Sequence, residues 1–403
     1  MSMDKSAVRI LVLDDEPFML TLLAHMLAGL GFTSVATCDN GAAALQWVDA
    51  AGNRPNLILL DLNMPKMDGI EFVRKLVEHD YPGSLILVSG EAERVLQMTV
   101  RLVRAHEITV LGHLRKPVSL EGLAGLLDSW TPDQKIRGAA KTYDADELRA
   151  ALVDGHVGNF YQPKVSVATG EVVGVEALAR WHHSADGVVL PEQFVGIAEE
   201  YGLIDELTRI SLTQAMLQCR NWQHQGLPLR MAVNISMANL SSVAFADFIA
   251  DTAHATGVAP AELVLELTES RLLLDQRAPL EILARLRLKR FRLSIDDFGT
   301  GNSSLTQLHD IAFDELKIDR GFVHGASRDP TARAMFDASL DLGKRLGMEV
   351  VAEGVEDRDD WEMVRATRCD LAQGYFIAPP MAAGEIPGWV QAWNQRTAES
   401  TLA

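Results

Sequence analysis

The stretch NLILLDLNMP (residues 56–65) sets four apolar residues in a row, closes them with an acid, and reaches a proline four residues later. An apolar run without polar alternation is what a strand buried on both faces requires, and such strands belong to parallel sheets covered by helices. The same reading extends outward on both sides. VRILVLDD (8–15), a helix-like FMLTLLAHMLAGLG (18–31), TSVATC (33–38), a second helix, and SLILVSG (84–90) alternate strand with helix. That order predicts an α/β domain with a doubly wound parallel sheet, ending at Trp130.

TPDQKIRGAAK (131–141) is polar, carries a proline and a glycine, and has no apolar periodicity, so residues 131–142 are read as a linker between domain 1–130 and a second domain. From Tyr143 a second alternating series begins: FYQPKV (160–165), VVGVEAL (172–178), RMAVNIS (230–236), ELVLELTE (262–269), FRLSIDD (291–297), ELKID (315–319), MEVVAEG (348–354) and LAQGYF (371–376). Eight strand candidates separated mostly by helix-like stretches predict a TIM-type (β/α)8 barrel over residues 143–395, with 396–403 as a tail.

Two domains also suit a length of 403 residues. A formal charge of −18 argues against a DNA-binding surface, because phosphate backbones are held by clustered Lys and Arg. An anionic ligand would therefore need help from a metal. No apolar run reaches a bilayer's length and no signal peptide is visible, so no membrane association is expected. Cys38, Cys219 and Cys369 are scattered and unpaired in spacing, which suits reduced thiols in the cytoplasm.

In the first domain Asp14 and Asp15, then Asp61, then Ser89 and Lys116 come at the ends of strand candidates. Open α/β sheets build their sites at the carboxyl ends of strands, so these groups converge in one crevice. Clustered carboxylates there bind a hard cation such as Mg2+, and a lysine with a hydroxyl holds phosphoryl oxygens. The set suits acyl-phosphate formation on an aspartate. Each Asp alone reads equally well as a helix cap.

DD after the first strand, DLNMPKMDG (61–69), a hydroxyl residue closing the fourth strand and KP after the fifth resemble a response-regulator receiver domain, a flavodoxin-like fold, over residues 7–128. The resemblance implies that Asp61 is the phosphoacceptor for a sensor histidine kinase. It also implies that Asp14 and Asp15 bind one Mg2+ with the Asn63 backbone carbonyl, and that Ser89 and Lys116 touch the phosphate. His113 stands where that family usually has Tyr or Phe.

In the second domain Glu176, Asn234, Glu266, Asp296 with Asp297, Lys317, Glu353 and Gln373 each come after an apolar run and are read as strand ends. Strand ends of a barrel meet on one rim. Crowded carboxylates with one amide need divalent cations, and an all-oxygen set favours Mg2+ or Mn2+ over zinc. Two cations about 3.5–4 Å apart form a clamp for phosphodiester hydrolysis. A lone acid at a strand end is more often a cap or a solvated charge, and His182 and His183 lack partner spacing and read as structural or solvent-facing.

EALAR (176–180), VNIS (233–236), ELTES (266–270), DDFGTGNSSL (296–305), LKIDRGFV (316–323), AEGVE (352–356) and QGYF (373–376), in that order, resemble the EAL phosphodiesterase family over residues 145–395. The resemblance implies hydrolysis of cyclic di-GMP to pGpG. Glu176, Asn234, Glu266 and Asp296 would hold one metal, and Asp297 the second. Glu353 would act as base or ligand, Lys317 would position water or phosphate, and Gln373 would orient the nucleophile. Arg180, placed one helical turn beyond Glu176, would grip a phosphate. Gln162, Asp319 and Glu356 are further substrate-contact candidates. Glu269 would steady the DDFGTGNSSL loop, which in the family shapes the metal site and a dimer interface; Asn302 stands there in place of the usual Tyr. A different class of reading, a degenerate barrel that binds the nucleotide without hydrolysing it, expects lost ligands, and none is lost.

Overall fold

The computed structural model describes residues 5, 8–49, 54–91, 96, 99–100, 102–103, 108–128, 130, 143–268, 277–299, 308 and 310–401. Linker 131–142, Glu269 and Asn302 lie outside the described residues. The chain divides into two units, Met1–Lys141 and Thr142–Ala403.

In the first unit β1 (Arg9–Leu13), β2 (Ser34–Cys38), β3 (Leu57–Asp61), β4 (Ser84–Ser89) and β5 (Thr109–Arg115) form a parallel sheet in the order β2-β1-β3-β4-β5. The helices between them are α1 (Pro17–Gly29), α2 (Gly41–Asp49), α3 (Gly69–Glu78) and, last, α4 (Leu120–Asp128). Alternation along each strand feeds two cores. Leu11, Leu13, Ile58 and Leu60 pack on one face of the sheet, and Ile10, Val12, Leu57 and Leu59 on the other. All five residues of β3 are buried, as the opening run requires.

The second unit opens with α5 (Ala145–Val153), then β6 (Val157–Ser166), β7 (Val172–His183) and β8 (Gly187–Val189). It continues through α6 (Pro191–Glu200), α7 (Ile204–His224), β9 (Arg230–Asn234), α8 (Ala244–Thr256), β10 (Leu263–Thr268), α9 (Arg277–Leu288), β11 (Arg292–Phe298), β12 (Glu315–Ile318), α10 (Arg320–Val323) and α11 (Pro330–Arg345). The last elements are β13 (Glu349–Ala352), α12 (Arg358–Arg365), β14 (Leu371–Ala372) and α13 (Ile386–Thr401). α13 runs through residues 396–401, which sequence reading assigns to the tail.

Eight strands close into a barrel in the order β6-β14-β13-β12-β11-β10-β9-β7, with β7 pairing back to β6 and β8 hanging outside on β7. One feature departs from a regular TIM barrel: β6 is antiparallel to both neighbours. Its cause is local. β6 and β7 are joined by five residues, with Gly170 in the left-handed region and its N–H donating to Ser166 O at 2.8 Å, too short a link for the crossover that parallel strands need.

Strand alternation sorts the barrel. Val175 and Ala177, Met231 and Val233, Leu265 and Leu267, Leu293 and Ile295, and Leu316 and Ile318 join the apolar core beneath the helices. The residues between them, including Glu176, Ala232, Glu266, Ser294 and Lys317, turn inward. Among the described residues no helix is long and apolar enough to cross a membrane.

Candidate functional site

In the first unit three acids and a lysine meet at the carboxyl end of the sheet. Lys116 Nζ lies 2.9 Å from Asp14 Oδ2, 3.1 Å from Asp61 Oδ2 and 3.4 Å from Glu16 Oε1. Asp14, Asp15 and Asp61 bring carboxylate oxygens within 4.8 Å of one another. Burial pushes the Asp14 carboxyl up. Burial pulls Lys116 down, but its bonds to Asp14 and Asp61 override this and hold it above the usual range. Ser89 is buried at the end of β4 and its Oγ accepts from Glu91 N at 3.2 Å. Asn63 donates through Nδ2 to Glu91 Oε1 at 2.8 Å. Thus Asp14, Asp15, Asp61, Asn63, Ser89 and Lys116 all sit at this end of the sheet, while His113 lies two residues inside β5, paired with Leu87.

In the barrel Lys317 is the hub. Its Nζ lies 2.7 Å from Glu353 Oε1, 2.9 Å from Glu266 Oε2, 3.0 Å from Asp296 Oδ1 and 3.3 Å from Glu176 Oε2, and the residue is 1% exposed. Glu176 is further held by Asn234 Nδ2, donating to Oε1 at 2.8 Å, and by Gln373 Nε2, donating to Oε2 at 2.8 Å. Gln373 Nε2 also reaches Gln162 Oε1 at 3.0 Å, while Gln162 Nε2 donates to Ala378 O at 3.0 Å. Gln162 therefore spends its amide inside the barrel, orienting Gln373.

Asp296 and Asp297 are consecutive, so a regular strand would point them to opposite faces. β11 slips register against β12 between Ile295 and Phe298, and Asp297 adopts φ 55°. This bulge keeps both acids at the rim, at the cost of a left-handed backbone that an L-residue seldom takes.

The electrostatics follow from burial of like charges. Burial, and then the Asp296 charge, push Asp297 up to about 6. Burial and then Asp296 also raise Glu353 well above the carboxylate range. Burial and the Glu176 carboxylate raise Glu266. Burial would raise Glu176 as well, but the Lys317 and Lys164 ammonium groups hold it below its usual range. Lys317, pulled down by burial, is held well above its usual value by the acids around it, Asp296 foremost.

These residues fit divalent cations. Glu176, Glu266 and Asp296 form one group of oxygens within 4.8 Å, and Asp296, Asp297 and Glu353 form another, with Asp296 common to both. Every donor is a hard oxygen. Gln373 Oε1 is buried without a hydrogen-bond partner, an acceptor left for a water or ligand. A cleft of about 690 Å³ opens on Glu176, Asn234, Asp296 and Asp297 and is walled by Pro191, Val195 and Gly196 of α6, a volume suited to a small ligand.

Two sequence expectations need correction. Arg180 is not a helical turn from Glu176: both lie on β7, same face, four residues or roughly 13 Å apart at strand rise. Nor does Glu176 end its strand, since β7 continues to His183 to pair with β8; Glu266 likewise stands two residues inside β10, Asp296 and Asp297 lie within β11, and Lys317 is one residue short of the end of β12. Arg180 is 7% exposed, donates through Nη1 to Ala179 O at 2.8 Å and sits over the Phe160 ring at 5.7 Å. Asp319 caps α10, accepting from Gly321 N at 2.8 Å, and Glu356 pairs with Arg320 Nη2 at 2.7 Å. His183 bridges to Asp186 at 2.8 Å across the β7–β8 turn.

Sequence reading missed Lys164 and Glu315. Both are inward-facing and buried, and Lys164 Nζ donates to Glu266 Oε1 at 2.6 Å and to Glu315 Oε1 at 3.2 Å. The signal was the strand period: Lys164 stands two residues beyond Gln162, and Glu315 two before Lys317.

Residues 145–380 match the family model described as EAL domain, and residues 10–128 match the one described as response regulator receiver domain. The cyclic di-GMP phosphodiesterase RocR of Pseudomonas aeruginosa is 32% identical over 93% of this chain and 96% of its own length. The oxygen sensor protein DosP of Escherichia coli is 36% identical over 60% of this chain, which spans only 30% of DosP. A solved structure, the PaMucR phosphodiesterase in complex with c-di-GMP, is 37% identical with a TM-score of 0.57, covering 60% of this chain and 98% of that one.

Proposed function

We propose, from the premise that this chain belongs to the EAL domain family and carries a response regulator receiver domain ahead of the barrel, that it is a cyclic di-GMP phosphodiesterase whose rate is set by phosphorylation of Asp61. The observation that carries this reading is the rim itself. Four carboxylates, those of Glu176, Glu266, Asp296 and Glu353, converge on the ammonium of Lys317, and Asp297 joins Asp296 and Glu353 beside them, where a ligand-sized cleft opens on Glu176, Asp296 and Asp297. The excess negative charge calls for two Mg2+ or Mn2+ ions, and an anionic substrate could not otherwise approach.

When bound, such ions would supply an activated water and charge stabilisation of the leaving oxygen. The chain's own residues do the rest. Glu353, held at the rim beside Asp296 and Asp297, takes the proton of the attacking water. Lys317 fixes the Glu353 carboxylate at 2.7 Å, and Gln373, through its unpartnered Oε1, orients the water. Arg180 grips a substrate phosphate, and Gln162, Asp319 and Glu356 are further substrate contacts. One phosphorus–oxygen bond forms to the water oxygen and one breaks to the ribose oxygen, which leaves with a proton, so the product is linear pGpG.

In the receiver, Asp61 takes a phosphoryl group from a sensor histidine kinase. Asp14, Asp15 and the Asn63 carbonyl would hold one Mg2+, and Ser89 and Lys116, the latter already beside Asp14 and Asp61, would contact the phosphate. We place the protein in the cytoplasm, supported by three buried cysteines left as free thiols, and expect a homo-oligomer through the EAL domain. The test incubates purified protein with cyclic di-GMP and Mg2+, with and without acetyl phosphate, and follows pGpG by chromatography. Absence of turnover under both conditions would overturn the reading in favour of a binding-only barrel.

A further inference from the structure

Glu266 is wholly buried, and its two oxygens are divided between two lysines. Oε2 faces the rim, 2.9 Å from Lys317 Nζ, and Oε1 faces the barrel floor, 2.6 Å from Lys164 Nζ. Lys164 is 3% exposed and is anchored in turn by Glu315 Oε1 at 3.2 Å. Lys164 comes from β6 and Glu315 from β12, on opposite sides of Glu266, so the ammonium is steered by strands that do not carry the acid it holds.

We propose that Lys164 is a positioning residue for the metal site: by occupying Glu266 Oε1 from below, it leaves Oε2 alone to face the rim and makes Glu266 a one-oxygen ligand. The inference rests on the reading of Glu266 as a cation ligand. Its consequence is selectivity. Mg2+ is small and demands near-ideal octahedral geometry, whereas Ca2+ is larger and accepts both oxygens of one carboxylate. A carboxylate tied back at one oxygen favours the smaller ion. With Lys164 removed, Glu266 is free to rotate both oxygens toward the rim, and the preference should move toward Ca2+. Loss of outer partners of metal ligands typically changes affinity about 10- to 100-fold.

The test is titration calorimetry of the full chain with Mg2+, Mn2+ and Ca2+ in the absence of substrate, with circular dichroism to establish folding. The variants are Lys164→Met, Glu315→Gln, and the double variant, which removes both charges of the buried pair. The ratio of Mg2+ to Ca2+ affinity should fall about tenfold or more in Lys164→Met and in the double variant, and stay within about twofold in Glu315→Gln. A wild-type ratio in folded Lys164→Met overturns the proposal. So does a ratio restored in the double variant, because Lys164 would then merely neutralise Glu315. Failure of both Lys164 variants to fold also counts against it, as the lysine would be a folding element. Wild-type protein that binds no divalent cation beyond the one assigned to the receiver, identified by its loss in Asp15→Asn, sinks the metal reading of the barrel itself, a result distinct from an unchanged ratio.

Discussion

Lys317 Nζ lies 2.7 Å from Glu353 Oε1, and both residues belong to a ring of charges in which Lys317 also contacts Glu176, Glu266 and Asp296. Glu353 is thus held from within the barrel. It is not pointed by its own loop alone, because Glu353 N donates to Ile318 O at 3.1 Å, tying the end of β13 to the end of β12.

Replacement of Glu353 by Gln keeps the shape and removes the proton acceptor. Turnover of cyclic di-GMP should drop by about 10²- to 10⁴-fold, the usual worth of a positioned base, while calorimetry still detects substrate binding. Near wild-type pGpG production by Glu353→Gln would remove this residue from the mechanism.

The oxygen-only rim predicts that EDTA abolishes turnover, that Mg2+ or Mn2+ restores it, and that Ca2+ competes without restoring it, since its looser coordination misplaces the reacting groups. A chromatographic assay across the three ions decides the matter, and full activity in excess chelator would contradict it.

Phosphorylation of Asp61 adds about two negative charges beside Asp14 and Asp15, which Lys116 and a cation must share. Acetyl phosphate should raise the hydrolysis rate of the wild type and leave Asp61→Asn at its basal rate. Equal stimulation of both proteins would locate control elsewhere.

At the opposite end of the barrel Glu349 accepts from Arg230 Nη1 at 2.5 Å, Arg230 Nη2 at 3.0 Å and Arg292 Nη2 at 2.8 Å, with its side chain 25% exposed. Burial pushes this carboxyl up, but the two guanidinium groups override it and hold it below the usual range. A depressed folded-state value contributes stability that is present above the unfolded value near 4.3 and is lost as pH falls through the folded one. Glu349→Gln should therefore cost about 1.5–3 kcal/mol at pH 7, and the gap to wild type in urea unfolding should close as the pH is lowered below about 4. A gap that is constant from pH 7 to pH 3 would show that the ionised carboxylate is not what stabilises this end.

Much of both sites is legible in the sequence because strand ends announce them. NLILLDL shows a strand and the acid that ends it, EVVAE does the same for the barrel, and LVLEL and LSIDD set their acids in the last residues of a strand. Apolar runs mark buried strands, and an acid inside or after one is costly unless it has partners or a cation. Arg180 is placed wrongly from sequence because EALAR has four residues from acid to arginine, a spacing that fits a helix turn as readily as two strand repeats. Only the long pairing of β7 with β6 and β8 decides for the strand.

The sequence by itself determined the two-domain α/β architecture, the identity of the acids, the amides and Lys317, and the chemistry that an all-oxygen set can perform. Residue type and local periodicity carry that information without any knowledge of distant neighbours. Tertiary structure alone decided that β6 runs antiparallel, that a bulge at Asp297 turns two consecutive acids to one rim, and that Lys164 reaches Glu266 from 102 positions away in the chain. Barrel closure is the reason: it brings inward-facing residues of non-adjacent strands within hydrogen-bond distance, and no single stretch of chain specifies which ones meet.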